Sequence, residues 1–208
     1  MKVTDTLDEL NAGAGSFRST LTVLLLATVM VFVSSPARAD DRYHQSWKLS
    51  NALEAEGFQT LRLALDLTEL LPVLDSNRVT LFAPTNDVFD ATAAALGCTD
   101  ALDLATRLIN IPTGDGSNAL ADVLSYHAVL RVIRTSKKLL KSSPLHTVSG
   151  GTVTTGVNSE GLFVKGEVNE TPSSITVDGI RGHRWVIYPI DSILLPFAPP
   201  ADLCTSSS

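Results

Sequence analysis

The sequence predicts an α+β domain, because helical periodicity fills its first half, short alternating strands fill its second, and residues 79–89 read as a strand-to-helix joint. At that joint, Val79 to Phe82 are β-branched or bulky apolar residues and Pro84 holds Ala83 extended, so a strand runs up to this point and ends. Thr85 is placed to cap the next helix with its hydroxyl, and Asp87 sits where the helix dipole favours negative charge. Val88, Phe89, Thr92, Ala93 and Leu96 then share one helical face before Gly97 closes it.

The other elements follow in order. Leu53, Phe58, Leu61, Leu65 and Leu70 recur at helical spacing between Leu49 and Leu74, with Gly57 as a break and Pro72 near the end. Asp100 to Ile109 reads as a helix capped by Thr99, Pro112 to Asn118 as a surface loop, and Ala119 to Tyr126 as the helix that delivers Tyr126 and His127. From Thr147 onward short strands alternate with turn residues at Gly150-Gly151, Asn158 to Gly161 and Asp178-Gly179. Val186 to Leu195 supplies a closing strand, in which Pro189, lacking a ladder donor, predicts an edge position or a bulge.

The N-terminus has a separate character. Leu21 to Val33 is an apolar run preceded by Arg18 and followed by Pro36-Ala37-Arg38-Ala39, the pattern of a signal peptide over residues 1–39 with a mature start at Asp40. Its 13 residues fall short of the roughly 20 that cross a bilayer as a helix, so an uncleaved anchor is the weaker alternative. Asp5, Asp8 and Glu9 are atypical of such a leader and suggest a start codon downstream of Met1. The mature part keeps 13 basic and 19 acidic residues, a net charge of −6, which argues against general nucleic-acid binding. Cys98 and Cys204 both lie in the exported part, so an internal disulfide is expected, with two free thiols or an intermolecular bridge as the alternatives.

The segment Thr80-Leu81-Phe82-Ala83-Pro84-Thr85-Asn86-Asp87-Val88-Phe89 resembles the N-terminal signature of the fasciclin domain, T-[VL]-F-A-P-T-[ND]-x-A-F. Three further stretches of that family stand in the right order: Leu124 to Val129, Thr147 to Thr154, and Val186 to Pro196. The resemblance covers residues 47–196, leaving 40–46 as an N-terminal segment and 197–208 as a tail. It implies a β-sandwich or wedge flanked by a helical layer, in a secreted, extracellular or periplasmic protein that works by adhesion or by contact with a cell surface or matrix. It also implies an alternative, a carrier of an apolar small molecule such as a carotenoid. Leu130, Val132, Ile133, Leu139, Leu140 and Trp185 are the residues expected to line a groove for it.

Several residues are candidates for partner binding. Tyr126 and His127 form the family's tyrosine–histidine pair, and Asp191 occupies an acidic position that animal relatives use in short adhesion sequences. The plainer reading buries the Tyr126 and His127 rings, with backbone groups satisfying their polar atoms, and has Asp191 tie a loop or the Thr85-Asn86 turn to the sheet. Titration of His127 near neutral pH is a further expectation. Arg131, Arg134, Lys137, Lys138 and Lys141 concentrate positive charge after the histidine, where the family often has a valine-proline-glycine turn; a solvated helix face or a site for an anionic glycan or lipid headgroups accounts for them. Thr85 and Asn86 are expected to hold backbone rather than ligand. Asn169-Glu170-Thr171 is an N-glycosylation sequon. His44, His127, His146 and His183 lack metal-ligand spacing, and no nucleophile elbow or phosphate-binding glycine loop is visible, so neither a cofactor nor an enzyme is expected. The C-terminal tail has no hydrophobic stretch, which argues against a lipid-linked anchor.

Overall fold

The computed structural model describes residues 48–114, 116–132, 134–140, 144–175, 178–200 and 203–204. The expected signal peptide, the segment before Lys48, Ile133 and Lys141 lie outside them. The chain opens with three short helices, α1 (Leu49–Ala55), α2 (Gln59–Leu67) and α3 (Leu70–Ser76), where the sequence suggested a run broken only at Gly57. Gly57 takes a left-handed φ of 88°, as expected, and Glu69 makes a second break at φ 56°. Pro72 falls in the first turn of α3, where a helix needs no amide donor.

Strand β1 (Val79–Pro84) leads into α4 (Asn86–Ala95), followed by α5 (Ala101–Ile109), α6 (Ala119–Tyr126), β2 (Ala128–Leu130) and the short α7 (Ser136–Leu139). The strands β3 (Pro144–His146), β4 (Thr152–Asn158), β5 (Gly161–Gly166), β6 (Ser173–Ser174), β7 (Ile180–Arg181) and β8 (Trp185–Ile190) complete the described elements. They form two four-stranded sheets, β2-β1-β8-β7 and β3-β4-β5-β6.

Every residue of β1 and of β8 is buried, which requires cover on both faces. The alternation shows how. Val79, Leu81, Ala83, Trp185 and Ile187 point into a core shared with the helices, while Phe82, Val186, Tyr188 and Ile190 point into a second core against Val153 and Val164 of the other sheet. The result is a helical layer, a mixed sheet and an antiparallel sheet stacked in that order. Thr80, fully buried on the second side, is satisfied: its hydroxyl donates to Val132 O and accepts from Arg134 N, both at 2.9 Å.

Pro189 stands in an interior strand whose β1–β8 register runs unbroken from Val79↔Trp185 to Pro84↔Ile190, so no bulge is present and the expected edge position holds only locally, at Pro189 itself. Val79 N donates to Arg184 O, which turns the even-numbered residues of β8 toward β1 and the nitrogen of Pro189 to the far side. There β7 has already ended, at its pairing with Ile187. The closing strand itself stops at Ile190 rather than at Leu195.

Two expected caps are also corrected. Thr85 is the N-cap of α4, but its hydroxyl bonds none of the first-turn amides. Asp100, not Thr99, caps α5, accepting from Asp103 N at 2.8 Å. Caps arrive instead from neighbouring helices. Asn86 Oδ1 accepts from Thr60 N at 3.1 Å at the start of α2, and Asp75 accepts from Ser50 N at 3.0 Å at the start of α1.

Tyr126 joins the helical layer to the second sheet. Its hydroxyl donates to Thr152 O at 2.5 Å and accepts from Glu167 N at 2.9 Å, and its ring lies so close that a Cβ at Gly151 would stand 2.7 Å from it. Tyr126→Phe is expected to destabilise the fold by about 1–3 kcal/mol, since it leaves the Glu167 amide without its acceptor; denaturant unfolding measures the loss.

Candidate functional site

The helical layer does not close over itself. Along α2, Leu61, Leu63, Leu65 and Leu67 alternate, and at about 100° per residue this places them in two pairs on opposite faces. Leu61 and Leu65 are fully buried, whereas Leu63 and Leu67 are each 49% exposed. The exposed pair forms one wall of an apolar cleft of about 770 Å³. Val88, Ala91, Thr92 and Ala95 of α4 form another, and Leu102, Ala105 and Leu108 of α5 a third. Val123 and Leu124 of α6 lie at its base, with Ile193, Leu195, Phe197 and Pro199 of the C-terminal segment along its side.

That C-terminal segment is fastened at both ends. Cys98, just past α4, is disulfide-bonded to Cys204 with the Cα atoms 4.9 Å apart. Arg107 of α5 donates to Leu203 O at 3.1 Å, and Asn169 brackets the segment's start, donating to Ile193 O and accepting from Leu195 N, both at 2.9 Å. The expected internal disulfide is therefore present. Among the described residues Cys98, Asp103 and Cys204 come together as would-be metal ligands, but the two sulfurs are joined to each other. The nearby Asp103 carboxylate is held below its usual pKa by the Thr99 amide and then by Arg107.

His127 sits at the base of the cleft and is 1% exposed. Leu194 N donates to its Nε2 at 3.0 Å, so the proton is on Nδ1, which donates to Val123 O at 2.7 Å. Burial pushes its pKa down to about 4, away from the neutral range that the sequence suggested. The imidazole pins the base of α6 to the segment after β8.

Asp191 lies exposed beyond the end of β8 rather than inside an apolar strand. Its Oδ1 accepts from Ser173 Oγ at 2.9 Å and Ser174 N at 2.8 Å, tying the sheet end to β6 and not to the Thr85-Asn86 turn. The described basic residues do not share a helix face. Arg131 takes a left-handed turn at φ 65°, Arg134 is half-buried on an extended segment, and Lys137 and Lys138 lie on the four-residue α7. Among the described residues the groove expected from Leu130 to Trp185 does not form either, because Leu139 and Trp185 are buried in different cores. The side-chain nitrogen that a glycan would occupy on Asn169 is the one donating to Ile193 O.

An α+β module with two stacked sheets and an apolar cleft on its helical side is thus the class of protein the fold defines. The fasciclin domain model matches residues 56–196, more than half of the chain, and the chain belongs to the fasciclin domain family. Among solved structures, a domain pair from the insect cell adhesion molecule Fasciclin I is similar over 68% of this chain and 46% of that one, at 14% identity and a TM-score of 0.51. At that identity the likeness shows the fold alone, and this chain spans about half the length of the one it matches. No curated protein matches the sequence.

Two outcomes follow from this geometry. The folded state resists protonation of His127 while the unfolded chain, near pKa 6.5, does not, so its contribution is fully present above about pH 6.5 and falls by about 3 kcal/mol as the pH drops to about 4. NMR of the imidazole carbons should show it neutral at pH 5, with chemical denaturation tracking the loss. Replacing Cys98 and Cys204 by serine should cost about 4–5 kcal/mol for a loop of 106 residues, measured by the same unfolding experiment.

Proposed function

We propose that the chain is an exported, non-catalytic binding module whose ligand is an apolar small molecule held in the cleft between α2, α4 and α5. The observation that carries this reading is the cleft itself: about 770 Å³, walled mainly by aliphatic side chains, with Leu63, Leu67 and Leu102 left exposed by 49%, 49% and 58%. Sites for small ligands occupy roughly 300–1,000 Å³ and are lined mainly by apolar groups. Leucines this exposed on one concave surface need a reason, because soluble domains keep such patches small unless they bind something. The disulfide fits an oxidising compartment, in keeping with the signal peptide expected over residues 1–39 and a fasciclin domain over 47–196.

A second reading, contact with a cell surface or matrix, is favoured by the family and by the adhesion molecule among its solved relatives. The side chains that would carry it are already engaged in the fold: Tyr126, His127 and Asp191 make the hydrogen bonds described above, which leaves Arg131, Lys137 and Lys138 as the exposed candidates, for an acidic matrix protein or an anionic glycan.

Nile red, neutral and fluorescent in apolar surroundings, is expected to bind with a blue-shifted emission. Leu63→Glu, at a half-exposed position that tolerates charge, should weaken it at least tenfold with little change in melting temperature, and Val157→Glu, an exposed valine on β4, should not. No emission change, or equal loss in both variants, would sink the cleft as a ligand site. Cell spreading on surfaces coated with protein, abolished by Lys137→Glu/Lys138→Glu and indifferent to Leu63→Glu, would favour the surface-contact reading.

A further inference from the structure

The cleft carries a charge pattern beside its apolar walls. Asp87 and Asp90 on α4, Asp100 at the start of α5 and Asp191 beyond β8 stand among its lining residues and are exposed, whereas among the described residues no lysine or arginine lines it. The basic side chains carried by its helices are directed elsewhere: Arg62 to Glu54 at 3.8 Å, and Arg107 to Asp103 at 3.0 Å and to Leu203 O. The positive poles of two of the three helices that wall it, α4 and α5, are already answered by acidic side chains. Asp87 lies in the first turn of α4, and the Asp100 carboxylate caps α5. His127 at the base has both ring nitrogens in hydrogen bonds to backbone groups. An apolar ligand with a negative head group would therefore meet aspartates and find no cation to pair with.

We propose that the cleft selects apolar molecules bearing a positive charge, the class of long-chain amines and quaternary ammonium compounds, over fatty acids and other apolar anions. This rests on the reading of the cleft as a ligand site and assigns it a charge preference. The aliphatic body lies among Leu63, Leu67, Ala105 and Phe197, and the cationic head remains at the rim beside Asp87 and Asp90, in water. Rim charges act there through solvent, so each contributes modestly and the sum is sensitive to salt. A basic amphipathic peptide shares this chemistry, but a volume of about 770 Å³ is that of a small-ligand site.

The test is displacement of Nile red from the purified protein by dodecyltrimethylammonium, 1-dodecanol and dodecanoate, each below its micellar concentration, at about 20 mM and about 300 mM salt. The expected result is that the ammonium compound binds about tenfold more tightly than dodecanoate at low salt, with dodecanol between them and the gap narrowing at high salt. Asp87→Asn/Asp90→Asn should reduce that preference about threefold and leave dodecanol unchanged, while Glu160→Gln on the β4–β5 turn, which controls for overall charge, should leave it intact. Equal binding of all three, or an equal effect of Glu160→Gln, overturns charge selection and keeps the cleft as a ligand site. No binding of any of the three overturns the cleft reading itself. Binding of a basic amphipathic peptide without binding of the ammonium compound overturns the proposal in favour of a protein partner.

Discussion

The structure depends above all on the parallel pairing of β1 with β8, which joins Val79–Pro84 to Trp185–Ile190 across some hundred intervening residues. Because this pair is buried on both faces, its odd and even side chains must each find a separate core, and that requirement fixes the order of the layers. Helices gather on one face, around Leu81 and Ile187; the antiparallel sheet covers the other, around Phe82 and Tyr188. Phe82 and Tyr188, paired across the strands, stack with centroids 6.1 Å apart, so a register slip would exchange the faces and lose both cores together.

The cleft is a consequence of this arrangement. The helices that pack on β1 and β8 are short, and their core-facing leucines are spent on the sheet. A second apolar stripe on α2 and part of α5 then faces outward, where among the described residues the segment after β8 comes near. That segment is held by His127, Asn169, Arg107 and the Cys98–Cys204 bridge, each from a different part of the fold. Residues that the family would suggest as a contact surface are thereby used as struts, and the surface left unfilled is apolar.

How much of this was legible in the sequence varies with the range of the interaction. The strand-to-helix joint at Val79 to Phe89, the helices ending at Ile109 and Tyr126, and the Asn158–Gly161 turn rest on neighbouring residues, and the sequence places them closely. The caps from Asn86 and Asp75 reach other helices, which local pattern does not show, while local pattern gives Thr85 a cap bond on α4 that it does not make. Pro189 is tolerated inside the sheet because its nitrogen faces past the end of β7, a fact of register that no local rule contains. The basic stretch was read as one helix face, but the left-handed Arg131 breaks the path before α7. The cleft did leave a trace: leucines at alternate positions in a helical segment cannot all face one core. The sequence points instead to the stretch after His127, where its turn departs from the family's pattern.

The central claim, that the open side of the helical layer and not the space between the sheets receives an apolar ligand, is tested most directly by methyl-resolved NMR during titration with neutral decanol. The account predicts concentration-dependent shifts of the Leu63, Leu67, Leu102 and Ala105 methyls, with Val153 and Val164 between the sheets unmoved. Shifts confined to Val153 and Val164, or spread evenly over the protein, would contradict it.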